Sequence, residues 1–373
     1  MNEQFKMKAN SYLQIDLAAL RENVIQIQKE IGKERKLIPV LKANAYGLGA
    51  ARLAAFYSTF SWIDTFAVSQ VEEGVELRKA GIKERILVMS LPLDFQVEEA
   101  VANNLILTLG SFRQFPVLNE TARQFGQQIQ VSLKLDTGLH RIGFLPSEAE
   151  ELCEELNRAK STIRIVDTFS HYMCDSEKQI HQQAACFTDF LKKLRSEGID
   201  PGMCHMASSA SLEADQNGLF DAVRVGRRLF LDNPERPTDK IREAASFRAY
   251  LTDVRIRRAG ETLGYNSRVV LQEDTKVGVL SIGYGDGLDP ALADSGAPVL
   301  VSGRRARLLA SCMDQSFVDL GEIPCQAGDE VTLFGYDRSG ALLSAQEVAA
   351  LIGWEGCDLT ARLTPRVERV YVE

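Results

Sequence analysis

Membrane spans, a secretory signal and basic runs are all missing from this sequence. No apolar stretch among its 373 residues approaches membrane-spanning length, and the start, Met1-Asn-Glu-Gln-Phe-Lys6, lacks the basic-then-apolar order of a signal peptide. No long Lys/Arg run occurs, and the formal net charge of -8 argues against nucleic acid, whose phosphates require a basic face. We therefore expect a cytoplasmic protein that contacts neither membranes nor nucleic acid.

Cysteine and histidine are also sparse. The seven cysteines are odd in number and contain no Cys-x-x-Cys pair, so we expect free thiols rather than a disulfide framework. The four histidines, His140, His171, His181 and His205, form no pair at the helical spacing of metal ligands. A structural zinc is therefore not expected.

Apolar residues, in contrast, are plentiful enough for a large core, at 45% of the sequence. Many of them fall in short runs that predict strands, and longer segments, several with helical periodicity, separate most of these runs. The eight runs are Leu37–Leu41, Phe66–Val68, Ile86–Met89, Leu105–Leu109, Ile129–Leu135, Ile163–Phe169, Met203–Ala207 and Ala222–Val225. This alternation predicts a parallel sheet closed as a (β/α)8 TIM barrel, an α/β fold with its site at the carboxyl ends of the strands.

An open doubly wound sheet with a dinucleotide-binding loop is the alternative architecture. The segment Gly47-Leu-Gly-Ala-Ala-Arg52 follows a strand, as such a loop would. It has only the first two glycines of the fingerprint, however, and Arg52 stands where a third small residue is needed. We therefore favour the barrel.

The pattern changes near residue 240. From Phe247 onward, runs of alternating polarity lie between glycine-containing turns, which predicts a mainly β C-terminal domain. We assign residues 1–240 to the barrel, with the first residues able to pack with the second domain, and residues 241–373 to the β domain. The proline-containing segment Asn233–Thr238 is the predicted linker.

Lys42 is the most informative residue of the first domain. It lies where the first barrel strand ends, and a lysine partly desolvated there near other cations has the lowered pKa that Schiff-base chemistry needs. The segment Lys42-Ala-Asn-Ala-Tyr-Gly47 resembles the pyridoxal phosphate signature of the alanine racemase family. The resemblance implies that Lys42 carries the cofactor, pyridoxal 5'-phosphate, and that Tyr46 helps to hold its phosphate.

Further polar residues follow other predicted strands, at the edge where a barrel places its chemistry. They are Lys134 and Arg141 around the fifth strand, His171 after the sixth, Ser209 after the seventh and Arg224 at the eighth. Any one of them has a structural explanation, such as a buried core histidine or an ion pair. Together they form a cationic lining that suits a phosphate-bearing ligand.

The family resemblance gives these residues roles. Val131–Gly143 is similar to the family's Lys-x-Asp-Thr-Gly-x-x-Arg-x-Gly segment, which implies that Lys134 is carbamylated and that Arg141 lies near the substrate carboxylate. Carbamylation would relieve the repulsion between these two cations. Val223-Arg-Val-Gly226 resembles the segment whose arginine, here Arg224, faces the pyridine nitrogen, and we add Ser209 to the cofactor-binding residues.

The second domain carries the remaining matches. Gly260–Tyr265 resembles the stretch that bears the family's second catalytic base, which implies that role for Tyr265. Ser311–Gln315 also matches and implies that Met313 lies by the substrate carboxylate. Because tyrosine is a weak base at its usual pKa near 10, it needs help, and the resemblance implies that His171, backed by Arg224, tunes it.

Five positions depart from the family pattern. Leu48 stands where the family has His, Ser208 where it has Asn, Arg227 where it has an apolar residue, Phe230 where it has Tyr, and Trp354 where a phosphate-side Tyr is expected. Because Leu48 and Trp354 lack the groups they replace, we expect an altered substrate range or weaker cofactor retention.

These observations predict a pyridoxal phosphate-dependent amino-acid racemase that interconverts L- and D-alanine, with Lys42 and Tyr265 as the two bases. The resemblance implies a homodimer in which the second domain covers the partner's barrel. The alternatives are a racemase for serine or for a longer or basic amino acid, and a pyridoxal phosphate-dependent decarboxylase of similar architecture, for which Cys312 is the hint. A non-catalytic pyridoxal phosphate-binding regulator would need Lys42 but no second domain with Tyr265.

Overall fold

The computed structural model describes residues 9–173, 176–214, 218–231 and 240–373. Contacts divide the chain into two compact units. The barrel unit comprises Ile27–Ala45 and Gly49–Gly226, and the β unit comprises the described residues up to Gln26 together with Tyr46–Leu48 and Arg227–Glu373. The predicted linker, Asn233–Thr238, lies outside the described residues, and the predicted domain boundary at residue 240 stays a prediction.

The first strand of the chain, β1 (Ser11–Asp16), belongs to the β unit, and the next eight strands form the barrel. The barrel strands are β2 (Lys36–Pro39), β3 (Thr65–Val68), β4 (Arg85–Val88), β5 (Ile106–Leu109), β6 (Ile129–Lys134), β7 (Ile163–Phe169), β8 (Met203–Ser208) and β9 (Ala222–Val225). Each strand is parallel to its neighbours, in the order β2-β9-β8-β7-β6-β5-β4-β3. A parallel bridge joins Val40, which follows β2, to Ala67 of β3 and so links the two ends of this order. The predicted (β/α)8 barrel is confirmed, and each strand falls within a residue or two of a predicted run.

Helices precede and connect the barrel strands. They are α1 (Leu17–Ile31), α2 (Ala50–Tyr57), α3 (Val71–Lys79), α4 (Val97–Ala102), α5 (Phe115–Phe125), α6 (Ala149–Arg158), α7 (Glu177–Ser196) and α8 (Ser209–Ala214). Their ends follow local chemistry. A proline lies in the first turn of α5, and the hydroxyl of Ser176 caps α7 by accepting a hydrogen bond from Gln179 N at 3.3 Å.

The β unit is built on a nine-stranded sheet in the order β18-β17-β14-β15-β16-β13-β10-β1-β19, with β11 and β12 forming a separate pair. Its later elements are β10 (Ala245–Arg257), β11 (Thr262–Leu263), β12 (Val269–Val270), β13 (Thr275–Leu280), α9 (Pro290–Asp294), β14 (Pro298–Val301), β15 (Arg304–Ser311), β16 (Ser316–Asp319), β17 (Glu330–Tyr336), β18 (Leu342–Leu343), α10 (Ala345–Ala350), α11 (Gly356–Ala361) and β19 (Glu368–Val372). The mainly β character predicted for this part is confirmed. β1 pairs antiparallel with β10 and parallel with β19, so the two ends of the described chain lie side by side.

Two findings concern the described residues alone. No helix among them is long and apolar enough to cross a membrane. Within the same ranges, no group of three or more His, Cys, Asp or Glu residues is arranged to hold a metal ion.

Two glycines after α7 allow a matched test of the barrel packing. Gly198 and Gly202 both have positive φ, at 72° and 65°, but a Cβ at Gly198 would meet nothing within 4 Å, whereas one at Gly202 would lie 2.4 Å from Val166 O. We expect Gly198→Ala to lower the free energy of unfolding by about 1 kcal/mol, the cost of left-handed backbone. Gly202→Ala should lose roughly 1–3 kcal/mol more because backbone atoms cannot yield. Urea denaturation of both variants measures this, and equal losses would contradict the close approach.

Candidate active site

Lys42 begins a left-handed turn at the carboxyl end of β2. Ala43, Asn44 and Ala45 have φ and ψ between 46° and 55°, and Tyr46 has φ of 55°. Each residue with a side chain costs about 1–2 kcal/mol in this conformation. Four in succession therefore need support from their surroundings, as is typical of strained backbone at functional sites.

Glu73 of α3 and Asn44 supply part of that support. Glu73 Oε1 accepts a hydrogen bond from Ala43 N at 2.5 Å, while Oε2 accepts from Ser69 N at 2.7 Å. Asn44 Oδ1 accepts from Ala50 N at 2.8 Å, which ties the turn to the start of α2. These bonds orient the turn so that the exposed side chain of Lys42 stands at the end of its strand.

Arg224 of β9 is the buried centre of the barrel site, 3% exposed. Its Nη1 lies 2.5 Å from Nδ1 of His205, and its Nη2 lies 3.1 Å from Nδ1 of His171. Nη2 also donates to the carbonyl oxygens of Ser170 at 2.8 Å and Met206 at 3.0 Å. Burial lowers the pKa of Arg224 to about 10, so it remains a cation at neutral pH.

The contact with Arg224 determines which nitrogen of His171 carries a proton. A guanidinium has only donors, so His171 Nδ1 must accept and the neutral ring must carry its proton on Nε2. Burial, followed by the charge of Arg224 and then those of Arg141, Lys134 and Lys42, lowers the pKa of His171 to about 3. His171 is thus a neutral imidazole with one free donor, and the predicted site cations of the barrel all act on it.

Lys134 ends β6 with its amine inside the barrel, 3% exposed. Its Nζ donates to Leu135 O at 2.6 Å and lies 5.4 Å from the ring centroid of Phe169. Burial, and then the charge of Arg224, lowers the pKa of Lys134 to about 7; Asp136 opposes this shift and Arg141 adds to it. About half of these amines are therefore neutral, and nucleophilic, at physiological pH.

The loop after β6 folds back over the end of its own strand. Phe144 N donates to Lys134 O and Asp136 N donates to Phe144 O, both at 2.9 Å. Gly143 makes this possible because a Cβ there would lie 2.9 Å from backbone atoms of the strand. The fold-back returns the exposed Arg141 towards Lys134.

Ser209 starts α8 at the same end of the barrel and is 7% exposed. Its hydroxyl accepts a hydrogen bond from Gly226 N at 3.2 Å, two residues beyond Arg224. Because the Ser209 hydroxyl accepts this bond, its own proton can be donated, and a donating hydroxyl beside a buried cation fits an anionic group such as a phosphate. The donor set of the barrel therefore suits pyridoxal phosphate.

The two predicted residues of the β unit are exposed, Tyr265 at 68% and Met313 at 49%, and so is Tyr284, at 41%, to which no role was assigned from the sequence. Tyr265 and Tyr284 line a groove of about 330 Å³ together with Ser311. Arg366 joins the loops that carry Tyr284 and Met313, because its Nε lies 3.0 Å from Oδ1 of Asp286.

The same guanidinium completes the junction through Nη1, 2.8 Å from Oδ1 of Asp314. Asp286 is 4% exposed, and its Oδ2 accepts from Gly283 N at 2.9 Å. Gly283 itself has no room for a Cβ, which would lie 2.1 Å from Cys312 O. The two loops are therefore packed backbone to backbone and tied by charge.

Three of the departures from the family pattern have packing explanations. Leu48 is 0% exposed, so an apolar residue suits it, and Phe230 packs its ring 5.7 Å from that of Tyr46. The guanidinium carbon of Arg362 lies over the Trp354 ring, 3.9 Å from the ring centroid. The predicted effect of these positions on substrate and cofactor stays a prediction.

His205 and Asp167 are not among the residues predicted from the sequence to form the site. Both are fully buried inside the barrel, and His205 stacks on Phe169 with ring centroids 5.4 Å apart. The available signal was a histidine inside an otherwise apolar strand, at a position that alternation directs inward. It carried too little information because a lone buried histidine is commonly structural.

Comparison with known proteins follows the same division of the chain. The family model of the alanine racemase N-terminal domain matches residues 15–234, and that of the C-terminal domain matches residues 244–371. The alanine racemase of Desulforamulus reducens is 33% identical and covers 98% of this chain and 100% of its own length. That of Pectobacterium atrosepticum is 33% identical, with 96% and 98% covered.

Solved structures agree. The alanine racemase of Streptomyces lavendulae has a TM-score of 0.91 at 30% identity, covering 99% of this chain and 98% of its own. That of Bacillus anthracis, solved with bound L-Ala-P, has a TM-score of 0.89 at 25% identity, covering 98% and 96%. These similarities define a pyridoxal phosphate-dependent isomerase and do not favour a decarboxylase. The chain belongs to the alanine racemase family.

The state of His171 can be tested by titration. Because its folded-state pKa is near 3 and its usual pKa is 6.5, the unfolded chain binds a proton that the folded chain does not. The free energy of unfolding should therefore fall by up to about 1.4 kcal/mol per pH unit as pH drops below 6.5. Nitrogen-15 NMR of the imidazoles, assigned with His171→Gln, should show no titration of His171 above pH 5. A midpoint between pH 6 and 7 would refute the neutral assignment.

Proposed function

We propose that this chain interconverts L- and D-alanine, with Lys42 holding pyridoxal phosphate and acting as one of two bases. When bound, the cofactor delocalises negative charge from the substrate Cα and so makes the Cα proton acidic. The observation that carries the proposal is the 3.1 Å contact from Arg224 to Nδ1 of His171, because it leaves His171 with a donor at Nε2. Such a donor is what a tyrosine base requires.

Racemisation needs one base on each face of a planar carbon. We assign Lys42 to one face and Tyr265 to the other. A tyrosine in water holds its proton until about pH 10. A hydrogen bond from His171 Nε2–H to the phenolate oxygen would favour the deprotonated form, and Arg224 keeps that proton on Nε2.

The remaining barrel cations bind and orient. Arg224 would hold the ring nitrogen of the cofactor and, because it does not give up its proton, would leave that nitrogen unprotonated. Tyr46 and Ser209 would hold the phosphate. Arg141 and Met313 would bind the substrate carboxylate.

We propose that Lys134 is carbamylated. Its pKa near 7 gives a neutral amine at physiological pH; the nitrogen then bonds to the carbon of carbon dioxide and releases one proton. The product is an anion between two cations, Arg141 and Arg224. It would hold Arg141 in place by charge, where an ammonium would repel it.

We further propose a homodimer with shared sites. Tyr265, Tyr284 and Met313 are exposed in the single chain; Tyr265 and Tyr284 line one groove, and the loops that carry Tyr284 and Met313 are packed together. Aromatic and Met side chains of this exposure are typical of a surface that a partner covers. An isologous dimer would place each Tyr265 at the other subunit's barrel.

The attachment at Lys42 is tested by reduction and mapping. Protein incubated with pyridoxal phosphate and treated with borohydride should carry the label on Lys42, whereas a separate, unreduced portion should racemise alanine without releasing carbon dioxide. Lys42→Ala should lose label and activity. Lys36→Ala, at the exposed start of the same strand, is the matched control and should retain both. A label elsewhere, or carbon dioxide as the product, would refute the assignment.

Sharing of sites is tested with mixed dimers. Lys42→Ala and Tyr265→Phe should each be nearly inactive alone, whereas co-expression under two affinity tags yields hybrids with one intact site. The purified hybrid should regain about half of the wild-type activity per dimer because one of its two sites keeps both bases. Hybrids that form and stay inactive would show that Tyr265 acts within its own chain or is not a base.

A further inference from the structure

A buried carboxylate stands behind the arginine of the barrel site. Asp167, in β7, is 0% exposed. Its Oδ1 accepts a hydrogen bond from the Ser132 hydroxyl and lies 3.4 Å from His205 Nε2. Its Oδ2 lies 3.3 Å from Arg85 Nη2. The carboxylate therefore meets a hydroxyl, a guanidinium and an imidazole inside the barrel.

His205 connects this carboxylate to Arg224. Its Nδ1 is 2.5 Å from Arg224 Nη1, and a guanidinium can only donate, so Nδ1 accepts and Nε2 carries the proton. That Nε2–H faces Asp167. Arg224 thus imposes this tautomer on His205, and the Asp167 carboxylate, 3.4 Å from Nε2 and without a formed hydrogen bond to it, favours the same tautomer by its negative charge.

We propose that Asp167 is a positioning residue, which keeps His205 in its Nε2–H tautomer and thereby keeps Arg224 in hydrogen-bond contact with His171. Asp167 is fully buried and acts through His205 rather than on a bound molecule. Its catalytic consequence rests on the proposed function, whereas the tautomer of His205 does not.

Arg224 depends on this support because its direct hydrogen-bond acceptors among the described residues are all neutral, and the nearby charge of Arg141 repels it. Its other acceptors among the described residues are the carbonyl oxygens of Ser170, His205 and Met206 and the Nδ1 of His171. Burial lowers the pKa of Arg224, and the charge of Asp167 opposes that shift. A buried cation without a compensating charge is costly, so removing the carboxylate should be felt at Arg224.

Both imidazoles accept from the same guanidinium, so a disturbance at one reaches the other. If His205 moved its proton to Nδ1, a donor would face Arg224 Nη1 at 2.5 Å. The guanidinium would have to shift, and its 3.1 Å contact with His171 would change with it. Through this path Asp167 acts on the group proposed to tune Tyr265.

The substitution Asp167→Asn tests this series of contacts, because it leaves the shape of the side chain nearly unchanged. Arg85 Nη2 faces the Oδ2 position and selects the amide oxygen there. The amide NH2 then takes the Oδ1 position, opposite His205 Nε2–H, as donor against donor. Ser132→Ala is the matched control, because it removes a hydrogen bond to the same Oδ1 but leaves the carboxylate in place.

Two readouts separate positioning from stability. Nitrogen-15 NMR of the imidazoles in cofactor-free protein should show His205 as Nε2–H in wild type and Ser132→Ala, but not in Asp167→Asn. In the loaded enzyme, Asp167→Asn should lower kcat roughly tenfold to a hundredfold with a smaller change in KM and a shifted pH profile, as misoriented histidines do. Ser132→Ala should keep the wild-type pH profile.

The proposal is overturned if wild-type His205 carries its proton on Nδ1, a result that needs no variant to fold. It is also overturned if Asp167→Asn keeps both the tautomer and the wild-type kcat. Because the NMR uses cofactor-free protein, it decides the role of Asp167 at His205 even if the chain proves not to racemise alanine. Loss of racemisation with an intact tautomer in wild type would count against the proposed function alone.

Discussion

The buried guanidinium of Arg224 is the interaction on which the barrel site depends. It donates to Nδ1 of two imidazoles, His205 and His171, and so gives both rings the same proton arrangement. A lysine could not replace it, because the planar fork reaches both rings and three backbone carbonyls at once. Its charge also lowers the pKa values of His171 and Lys134, next to burial itself. One side chain therefore influences the neutral donor proposed to face Tyr265 and the amine proposed to bind carbon dioxide.

The left-handed backbone conformation that follows Lys42 is a second constraint on the site. Four successive residues with side chains in the left-handed region would be unstable in isolation, at about 1–2 kcal/mol each. The barrel supports them through Glu73 and Asn44, whose side chains accept backbone N–H groups of the turn and of α2. Strain of this kind persists only where the surrounding structure over-determines it. We infer that rigidity of the turn, rather than burial of Lys42, is what the fold contributes at this lysine.

Much of this architecture could be predicted because it repeats. Eight short apolar runs predict eight strands, and polar residues at the strand ends, such as Lys42 and Arg224, then mark one edge of a barrel. The pairing of β1 with β10 joins residues more than 200 positions apart and has no local signature. The left-handed turn could not be predicted from the sequence either, since Ala43 and Ala45 favour right-handed helix by propensity. The role of His205 and Asp167 was not predicted for another reason, because it comes from contacts across neighbouring strands.

The central claim is that Lys42 and Tyr265 act on opposite faces of one carbon. It is tested most directly by following the Cα hydrogen of each alanine enantiomer in deuterium oxide with Tyr265→Phe. If Lys42 serves one face alone, one enantiomer should exchange its Cα hydrogen for deuterium without inversion, while the other neither exchanges nor inverts. Continued racemisation of both enantiomers, or exchange of neither while Lys42 still carries the cofactor, would contradict the two-base account.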